Sequence, residues 1–295
     1  EEYRHLAEAA VCRSQADWLV GMNATRAYTT KYFKKLTVGR VQTPTLAMLV
    51  ERAGQISNFQ KEKYFNVELD CDGIPAVKPK IFDPDEAEQL RSRCQGSEAI
   101  VTAVKETEKK VKAPKLYDLT TLQREANRIY GMTAKQTLDT AQSLYEKKLI
   151  TYPRTDSQYL TEDMEQTARN VVRQIYEKYQ LTGPFDQPEQ PDVKKVMNNS
   201  KVTDHHAIIP TMELASCHLG ELKSWEEKIL FLIAVHTVMA MSKDHIYQET
   251  EIEVECQEEI FKAKGKIVLQ DGWKLFENCF KNKDRMAIVD PDQEM

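Results

Sequence analysis

A long block of helical pattern separates two regions of β pattern, and this arrangement constrains the fold more than any other feature of the sequence. Residues 65–71 alternate apolar and polar side chains and an Asp-Gly pair follows them, which is typical of a strand and a turn. The alternation returns after the block, at residues 252–256 and 261–269. The simplest architecture inserts a helical domain into a β domain, with the outer helical segments forming a third body. We therefore expect a multidomain α+β fold.

Breaker and capping residues place the elements before this block. Residues 1–33 have few breakers and spaced apolar positions, which predicts helix. Thr43, followed by Pro, predicts the start of a further helix, and Gly54 predicts its end. Residues 100–104 are a strand candidate, and we expect the charged residues 105–115 to be a linker that crosses into the helical block.

The block itself begins with two capped helices. Asp118 or Thr120 caps the first, which Gly131 ends, and Thr133 with Gln136 forms a capping box for the second. A helix, a short glycine turn, a helix and a strand form the outline of a winged-helix module. The block continues with a strand at residues 149–152 and a third helix at 161–179. A Pro-rich loop at 183–191 and a helix at 224–242, capped by a Ser-x-x-Glu pattern, follow.

Length and charge exclude some classes of protein. The chain has 295 residues, more than the usual ~100–200 of one domain, so we expect two or more domains. The net charge of −5 excludes a globally basic nucleic-acid binder but permits a locally basic groove. The longest apolar run, residues 229–240, contains His236 and is too short to span a bilayer. Because the chain begins without a methionine and ends without completing an element, we expect it to be a piece of a larger protein.

The six cysteines lie far apart and include no C-x-x-C pair, which predicts neither a zinc site nor a disulfide framework. We expect reduced thiols in a cytoplasmic protein. The sequence also has no Walker loop and no dinucleotide-binding glycine fingerprint, and we assign no carboxylate cluster to Mg²⁺.

The stretch with the most chemical content is TYPRTDS at residues 151–157. Pro153 favours an extended Tyr152, and residues two apart in an extended chain point the same way, so we expect Tyr152 and Arg154 on one face. A guanidinium binds phosphate oxygens in a bidentate fork, and a phenol beside it is a candidate nucleophile towards phosphorus. Because a phenol has a pKa of about 10, the resulting ester would be easily reversed. The alternative is a buried tyrosine at a strand end with an arginine packed over its ring.

A pair of histidines stands in the second stretch, DHHAIIPT at residues 204–211. No third metal ligand lies at a recognisable spacing, whereas an imidazole can hydrogen-bond a phosphate or move a proton. Pro210 favours an extended segment, so we expect His205 and His206 to point to opposite faces and at most one to meet a shared substrate. Two polar loop histidines are the alternative interpretation.

The third stretch is VGRVQTP at residues 38–44. Arg40, Gln42 and Thr43 stand just before the predicted helix start, where free N–H groups and the helix dipole attract anions. A loop and cap without a ligand is the alternative. Arg13 and Asp17 lie one helical turn apart, which predicts a surface ion pair.

In combination, five stretches in a fixed order resemble a type IA DNA topoisomerase, and the Tyr-Pro-Arg and Asp-His-His forms resemble the bacterial topoisomerase III branch. The resemblance runs across essentially the whole chain. It favours the chemical interpretations of Tyr152, His205 and Arg40 over their alternatives. The stretches are DWLVGMN at 17–23, VGRVQTPTL at 38–46, LTTLQREA at 119–126, LITYPRTDS at 149–157 and DHHAIIPT at 204–211.

This resemblance implies roles for individual residues. Tyr152 matches the nucleophile that cuts one DNA strand and holds its 5′ phosphate, and Arg154 matches the arginine that positions the phosphate. His205 matches a phosphate-contacting histidine, and Asp156 lies in the same motif as Tyr152. The resemblance further implies a groove for single-stranded DNA lined by Arg13, Asp17, Arg40, Gln42 and Thr43.

The resemblance also implies an architecture, in which mainly helical domains form part of a torus. A winged-helix-like domain bearing the tyrosine would be inserted in a β arch domain that hinges it, so that it lifts to let another strand pass. The implied order is a helical groove domain, the first part of the arch, the tyrosine-bearing domain, the second part of the arch and a return to the groove domain, at residues 1–57, 58–112, 113–212, 213–270 and 271–295.

Some implied parts fall outside this sequence. Family members hold Mg²⁺ with acidic residues of a preceding Toprim domain, so we expect no metal ligand here and an ATP-independent parent that relaxes negative supercoils or decatenates DNA. The implied partners are single-stranded DNA and a RecQ-type helicase or a single-strand-binding protein, with a monomeric, nucleoid-associated enzyme. We expect the piece alone to be inactive. A non-catalytic single-stranded-DNA-binding module and a purely structural α+β scaffold are the alternatives.

Overall fold

The computed structural model describes residues 3–181 and 191–281. The chain divides into two compact units, residues 1–65 with 80–87 and residues 66–79 with 88–295. No helix among the described residues has both the length and the apolar character needed to cross a bilayer. The predicted Pro-rich loop at 183–191 lies outside the described residues except for Pro191.

The first unit begins with nearly continuous helix, as the sequence predicts for residues 1–33. Its elements are α1 (Arg4–Ala16), a π-helical segment (Asp17–Met22), α2 (Asn23–Tyr32) and α3 (Gln42–Ser57). None of the residues in these four elements is buried. Their apolar side chains therefore lack the core that usually stabilises amphipathic helices in a folded domain.

The predicted ends of α3 are wrong. The helix begins at Gln42, and the hydroxyl of Thr43 accepts a bond from the Gly39 N–H at 3.0 Å instead of capping the helix from outside. Gly54 lies within the helix, whose last hydrogen bond joins the Asn58 N–H to the Gly54 carbonyl at 2.9 Å. Glycine is only about 1 kcal/mol less favourable than alanine in a helix, which is too small a cost to end one by itself.

Five strands form one sheet in the order β1-β2-β5-β4-β3. The pairs β2–β5, β3–β4 and β4–β5 are antiparallel, and the predicted turn at Asp72 and Gly73 joins β1 to β2. The strands are β1 (Phe65–Cys71), β2 (Ile74–Ile81), β3 (Ile100–Val111), β4 (His245–Cys256) and β5 (Glu259–Gln270), with α4 (Pro84–Cys94) between β2 and β3.

The predicted linker at residues 105–115 is wrong, because β3 continues through Val111. Its charged residues pair across the sheet with those of β4: Lys105 lies opposite Glu251, and the ammonium of Lys109 is 3.7 Å from the carboxylate of Glu249. Cross-strand pairs of opposite charge stabilise a sheet that faces water on both sides. A strand of this kind lacks the apolar alternation by which strands are usually found.

The chain leaves the sheet at Val111 and returns at His245, and these two residues are paired in neighbouring strands. The helical part of the second unit thus lies between the ends of two adjacent strands. Its elements are α5 (Leu119–Tyr130), α6 (Ala134–Glu146), α7 (Glu165–Tyr179) and α8 (Ser224–Ala240); α9 (Asn278–Lys281) follows β5. Short 3₁₀ turns lie at Glu162–Met164, Val193–Val196, Asn199–Lys201, Met212–Leu214, Leu219–Glu221 and Gly272–Glu277.

Two predicted helix caps are confirmed. The carboxylate of Asp118 accepts the Thr121 N–H at 2.7 Å, and Thr133 and Gln136 bond reciprocally at the start of α6. The predicted cap of α8 is wrong by one residue: the Glu226 carboxylate, not that of Glu227, accepts the N–H of the residue before the helix, at 2.9 Å. The helix also ends at Ala240, before the predicted residue 242.

Helix α8 forms the centre of the core. Its residues from Ile229 to Val235 are all buried, on every side of the helix. A helix that is apolar all round is stable in water only when other elements surround it. Around it lie the buried faces of α5, α6 and α7, including Leu122, Leu144 and Ile175. This packed core supports the loops described next.

Candidate active site

Tyr152 lies in a loop that follows α6, with its ring between two other rings. The ring centroid of His205 is 4.4 Å from that of Tyr152, with the planes tilted by 46°. The ring of Tyr145, from the last turn of α6, meets Tyr152 at 5.3 Å in an edge-on arrangement. Tyr152 is partly buried and His205 is exposed, so the phenol lies at the surface beside an accessible imidazole.

The predicted strand at residues 149–152 is wrong as a regular strand, because only one isolated bridge forms, between Ile150 and Pro210. Next to this bridge, the side chain of Thr151 forms the hydrogen bonds that backbone groups would form in a regular pair of strands. The hydroxyl of Thr151 donates to the Ala207 carbonyl at 2.9 Å and accepts the Ile209 N–H at 3.0 Å. These two bonds fix the segment that carries Tyr152 against the segment that carries His205 and His206.

A second threonine holds the two segments together on the other side of Tyr152. The hydroxyl of Thr155, which is buried, donates to the backbone carbonyl of His205 at 2.9 Å. The Thr155 carbonyl in turn accepts the N–H of Leu119, the first residue of α5, at 3.1 Å. The relative position of Tyr152 and His205 is therefore set by partly buried hydrogen bonds on both sides of Tyr152.

The structure brings together only two of the four predicted catalytic residues. Arg154 and Asp156 are both exposed, and within the described part of the chain neither side chain forms a hydrogen bond or ion pair. Arg154 therefore presents an uncompensated positive charge two residues from Tyr152. His206 is partly buried, and its Nδ1 lies 2.9 Å from the Ala207 carbonyl, so its ring turns towards the backbone while that of His205 meets Tyr152.

Two further tyrosines at this site were missed by sequence reasoning. Neither Tyr145 nor Tyr159 belongs to a motif that sequence reasoning singles out. Burial alone would raise the pKa of Tyr159, but hydrogen bonds and charge from Lys115 and Lys201 outweigh it, so the pKa lies below its usual value. No spacing rule links either tyrosine to Tyr152, because Tyr152 and Tyr159 lie in irregular chain.

In the first unit, the predicted ion pair between Arg13 and Asp17 is wrong. Asp17 instead pairs with Arg40: the Nε–Oδ1 distance is 2.7 Å and the Nη2–Oδ2 distance is 3.3 Å, a bidentate contact. Both side chains remain about half exposed. The side chain of Arg13 is exposed and has no ion-pair partner within the described residues.

The segment before α3 lies along α2 and the π-helical segment at positions four residues apart. The Val38 N–H donates to Thr25 at 2.9 Å, and the Leu36 N–H donates to Thr29 at 3.3 Å. A Cβ added to Gly21 would lie 3.4 Å from the Val38 carbonyl, in van der Waals contact with it, so the segment passes close to the helix there. These contacts, with the pair Asp17–Arg40, fix the loop that leads into α3, where three of the predicted DNA-binding residues lie.

Three predicted DNA-binding residues lie at the start of α3. Arg40 precedes the helix, and Gln42 and Thr43 lie in its first turn. The Gln42 Nε2 donates to the Thr37 hydroxyl at 3.2 Å, and the Thr43 hydroxyl is bonded to Gly39. Neither group is therefore free, and a ligand would have to compete with these bonds. Over the described residues, no group of three or more His, Cys, Asp or Glu side chains could hold a metal ion.

Comparison with known proteins decides between the families of protein that such a site could serve. A family model described as DNA topoisomerase matches residues 1–294, nearly the whole sequence. This chain belongs to the DNA topoisomerase family. The resemblance noted from the five ordered stretches is thereby confirmed.

Among curated relatives, this topoisomerase chain is similar to proteins named DNA topoisomerase 3. It is 40% identical to DNA topoisomerase 3 of Bacillus subtilis over 304 residues, which cover 100% of this chain and 41% of that protein. It is also 40% identical to DNA topoisomerase 3 of Staphylococcus epidermidis over 278 residues, covering 92% and 39% of the two chains. The topoisomerase chain thus spans about two fifths of the length of the curated relatives it matches.

A solved structure supports the fold of this topoisomerase chain. Full-length topoisomerase I from Thermotoga maritima superposes with a TM-score of 0.67 at 25% identity, over 94% of this chain and 46% of that one. The expected mixed fold is confirmed at the level of an α/β chain with a five-stranded sheet. The winged-helix-like module, the arch and the five domain boundaries stay predictions.

Proposed function

We propose that the full-length protein containing this chain is a type IA topoisomerase that cleaves one DNA strand with Tyr152 and later rejoins it. The observation that carries the proposal is the position of the Tyr152 phenol, at the surface and against the exposed ring of His205. Membership of the DNA topoisomerase family supports it.

The proposed reaction exchanges one phosphodiester for another. The phenolic oxygen of Tyr152 attacks the phosphorus, a bond forms between them, and the bond from phosphorus to the 3′ oxygen of the preceding nucleotide breaks. The phenol gives up its proton and the leaving 3′ oxygen gains one. Because an aryl phosphate has a good leaving group, the freed 3′ hydroxyl can attack it and restore the strand without ATP.

In this reaction, Arg154 and His205 act on the phosphate. The free guanidinium of Arg154 is suited to bind two phosphate oxygens and to stabilise the charge that develops on them. His205 is suited to donate a hydrogen bond to the same phosphate, since its ring lies against the phenol. Asp156, exposed in the same loop, is proposed to belong to the site without a defined step.

The first unit is proposed to hold single-stranded DNA near its helix α3. Arg40 supplies charge at the start of the helix, where the dipole also favours a phosphate. Its partner Asp17 holds the guanidinium in place until a phosphate competes for it. Gln42, Thr43 and Arg13 complete the proposed groove.

We further propose that the parent passes a second strand through the break, relaxing negative supercoils or decatenating DNA as a monomer. The Mg²⁺ that supports cleavage would be held by acidic residues of a Toprim domain, and a RecQ-type helicase or a single-strand-binding protein would act with it. These 295 residues alone are expected to be inactive; Mg²⁺-dependent relaxation of a supercoiled plasmid by them would contradict that expectation.

The decisive experiment traps the covalent intermediate. Full-length protein is incubated with a labelled single-stranded oligonucleotide and Mg²⁺, denatured, and examined for protein-linked label. Tyr152→Phe is expected to abolish the adduct and to keep oligonucleotide binding, whereas Tyr64→Phe, which removes another exposed phenol, is expected to keep both. An adduct that persists in Tyr152→Phe would overturn the proposal, and binding without any adduct in the unaltered protein would favour a non-catalytic DNA-binding module.

A further inference from the structure

A cluster of positive charge lies beside the Tyr152 loop, around a different tyrosine. The ammonium of Lys115 is 5.5 Å from the ring centroid of Tyr159, and that of Lys201 is 5.0 Å from it. Both lysines are exposed, and Tyr159 is partly buried between them. Within the described residues, neither lysine has a carboxylate at ion-pair distance. Two cations therefore meet at one aromatic ring without an internal counter-charge.

The backbone at each of the three residues is fixed. The Lys115 carbonyl is bonded to Nε2 of His236 at 2.7 Å, and the Lys201 carbonyl accepts the Ser157 hydroxyl at 2.9 Å. The Tyr159 carbonyl accepts the N–H of Ala207 at 2.9 Å. The cluster is thus preorganised, and only the outer parts of the lysine side chains have to move to meet a ligand.

The carboxylates on the same stretches of chain form no ion pair with Lys115 or Lys201 among the described residues. The Asp118 oxygens bond elsewhere, one to Thr121 and the other to the Gln158 amide at 3.0 Å. Asp156 and Asp204 are exposed and form no ion pair with a described residue. The lowered pKa of Tyr159 agrees with a positive potential at its hydroxyl.

Two members of the cluster, Tyr159 and Lys201, lie on the two segments that carry the Tyr152 site. Residues 151–160 and 201–211 are joined by the hydroxyls of Thr151, Thr155 and Ser157. Tyr159 follows Tyr152 by seven residues, so their Cα atoms lie at most about 25 Å apart, a distance that a short stretch of one DNA strand covers.

We infer that Lys115, Tyr159 and Lys201 form a second phosphate-binding site, which holds the backbone of the DNA strand whose cleaved phosphate lies at Tyr152. The inference rests on the proposed function for the identity of the ligand. The two ammonium groups neutralise phosphate charge, and the Tyr159 hydroxyl donates a hydrogen bond to a phosphate oxygen. Because these groups meet the backbone and not base edges, the site contributes affinity without sequence preference.

Salt dependence of binding tests the inference in the full-length protein. Affinity for a fluorescent oligothymidylate is measured by anisotropy at several salt concentrations. For single strands, each neutralised phosphate contributes about 0.7 to the slope of log affinity against log salt. Lys115→Gln and Lys201→Gln are each expected to reduce the slope by about 0.7, and the double variant by about 1.4. Lys→Arg replacements at both positions are expected to restore it.

Lys228→Gln is the matched control, because Lys228 also lies over aromatic rings, 5.0 Å from that of Trp225 and 5.9 Å from that of Tyr130. It is expected to keep the unaltered slope. A double variant at Lys115 and Lys201 that folds, by its melting temperature, and keeps the full slope would overturn the inference. A reduced slope in the glutamine variants that arginine does not restore would also count against it.

Failure of this inference can be told apart from failure of the proposed function. If Tyr152→Phe abolishes the adduct while the lysine variants keep the full salt slope, only the second site is wrong. If the slope falls in the lysine variants while Tyr152→Phe still forms an adduct, the phosphate site stands and the nucleophile has been misassigned.

Discussion

The imidazole ring of His205 lies 4.4 Å, centroid to centroid, from the phenol ring of Tyr152, although 53 residues separate them in the sequence. The contact depends on hydrogen bonds between two irregular segments and not on a shared element of secondary structure. The neighbouring histidine, His206, is turned to the backbone instead. The two histidines are therefore expected to differ in their importance for cleavage.

Replacing His205 with alanine is expected to slow strand cleavage by about 10- to 100-fold, because a hydrogen bond to a charged phosphate contributes about 1.5–3 kcal/mol. His206→Ala is the matched control and is expected to change the rate less than threefold. Single-turnover cleavage of an oligonucleotide by the full-length protein measures both. Equal losses in the two variants would show that the ring contact with Tyr152 has no special role.

Thr151→Val is expected to destabilise the second unit by about 1–3 kcal/mol, although valine has nearly the same shape. The substitution leaves the N–H of the buried residue Ile209 without its partner. It also removes one of the two polar contacts of the Ala207 carbonyl, which keeps Nδ1 of His206 at 2.9 Å. Urea unfolding measures the change. Thr203→Val, at an exposed position in the same loop, is expected to stay within about 0.5 kcal/mol; a similar loss there would contradict the explanation.

The sequence predicted those features that are decided locally. The caps at Asp118 and Thr133 depend on side chains three residues apart, and the structure confirms both. The strand through Lys105 and Lys109 was missed because its stabilisation comes from charges on β4, more than 130 residues later. No pattern in the strand itself distinguishes such a segment from a solvated linker.

The candidate site shows the same division. The Tyr152 loop and the histidine pair were found as motifs, but their contact and the choice of His205 over His206 depend on threonine bonds that no spacing rule contains. The ion pair of Asp17 was assigned to Arg13 by helical spacing, whereas the fold brings Arg40 to it from 23 residues away. Long-range contacts decide these details, so local sequence could not.

The Asp17–Arg40 pair is expected to contribute only about 0.2–1 kcal/mol to stability, because both side chains are about half exposed. A double-mutant cycle with Asp17→Asn and Arg40→Gln measures it. For single-stranded DNA, Arg40→Gln is expected to weaken binding several-fold, and Asp17→Asn to strengthen it, since the guanidinium loses a competitor for phosphate. Weaker binding in Asp17→Asn would contradict a DNA contact at Arg40.

Glu226 is expected to stabilise the fold above pH 4.5 and to lose that contribution as the pH falls towards 2. Burial opposes its charge, but bonds from Lys147 at 2.6 Å, Ser143 at 2.7 Å and the Lys223 N–H lower its pKa to about 2, from 4.5 when unfolded. This difference in pKa between the folded and the unfolded chain corresponds to a contribution on the order of 3 kcal/mol to the free energy of unfolding. Glu226→Gln should unfold at lower urea at pH 7 and show a flatter pH dependence between 4.5 and 2. Glu213→Gln, at an exposed position, is the control and should change neither.

His236 is expected to make the fold less stable as the pH falls from 6.5 to 4, a range that lies mostly above that in which Glu226 acts. It is stacked on Tyr117 with ring centroids 3.7 Å apart, and burial lowers its pKa to about 4, although the bond to the Lys115 carbonyl favours the charged ring. Above pH 6.5 the residue is neutral in both states and costs nothing. As the pH falls from 6.5 to 4, the unfolded chain takes up a proton that the folded chain does not, so on the order of 3 kcal/mol of stability is lost.

His236→Gln, which keeps a donor for the Lys115 carbonyl, should show a smaller loss across that range in urea unfolding at fixed pH values, and His218→Gln should behave like the unaltered chain. An unchanged pH profile in His236→Gln would mean that the imidazole of His236 does not cause the acid sensitivity.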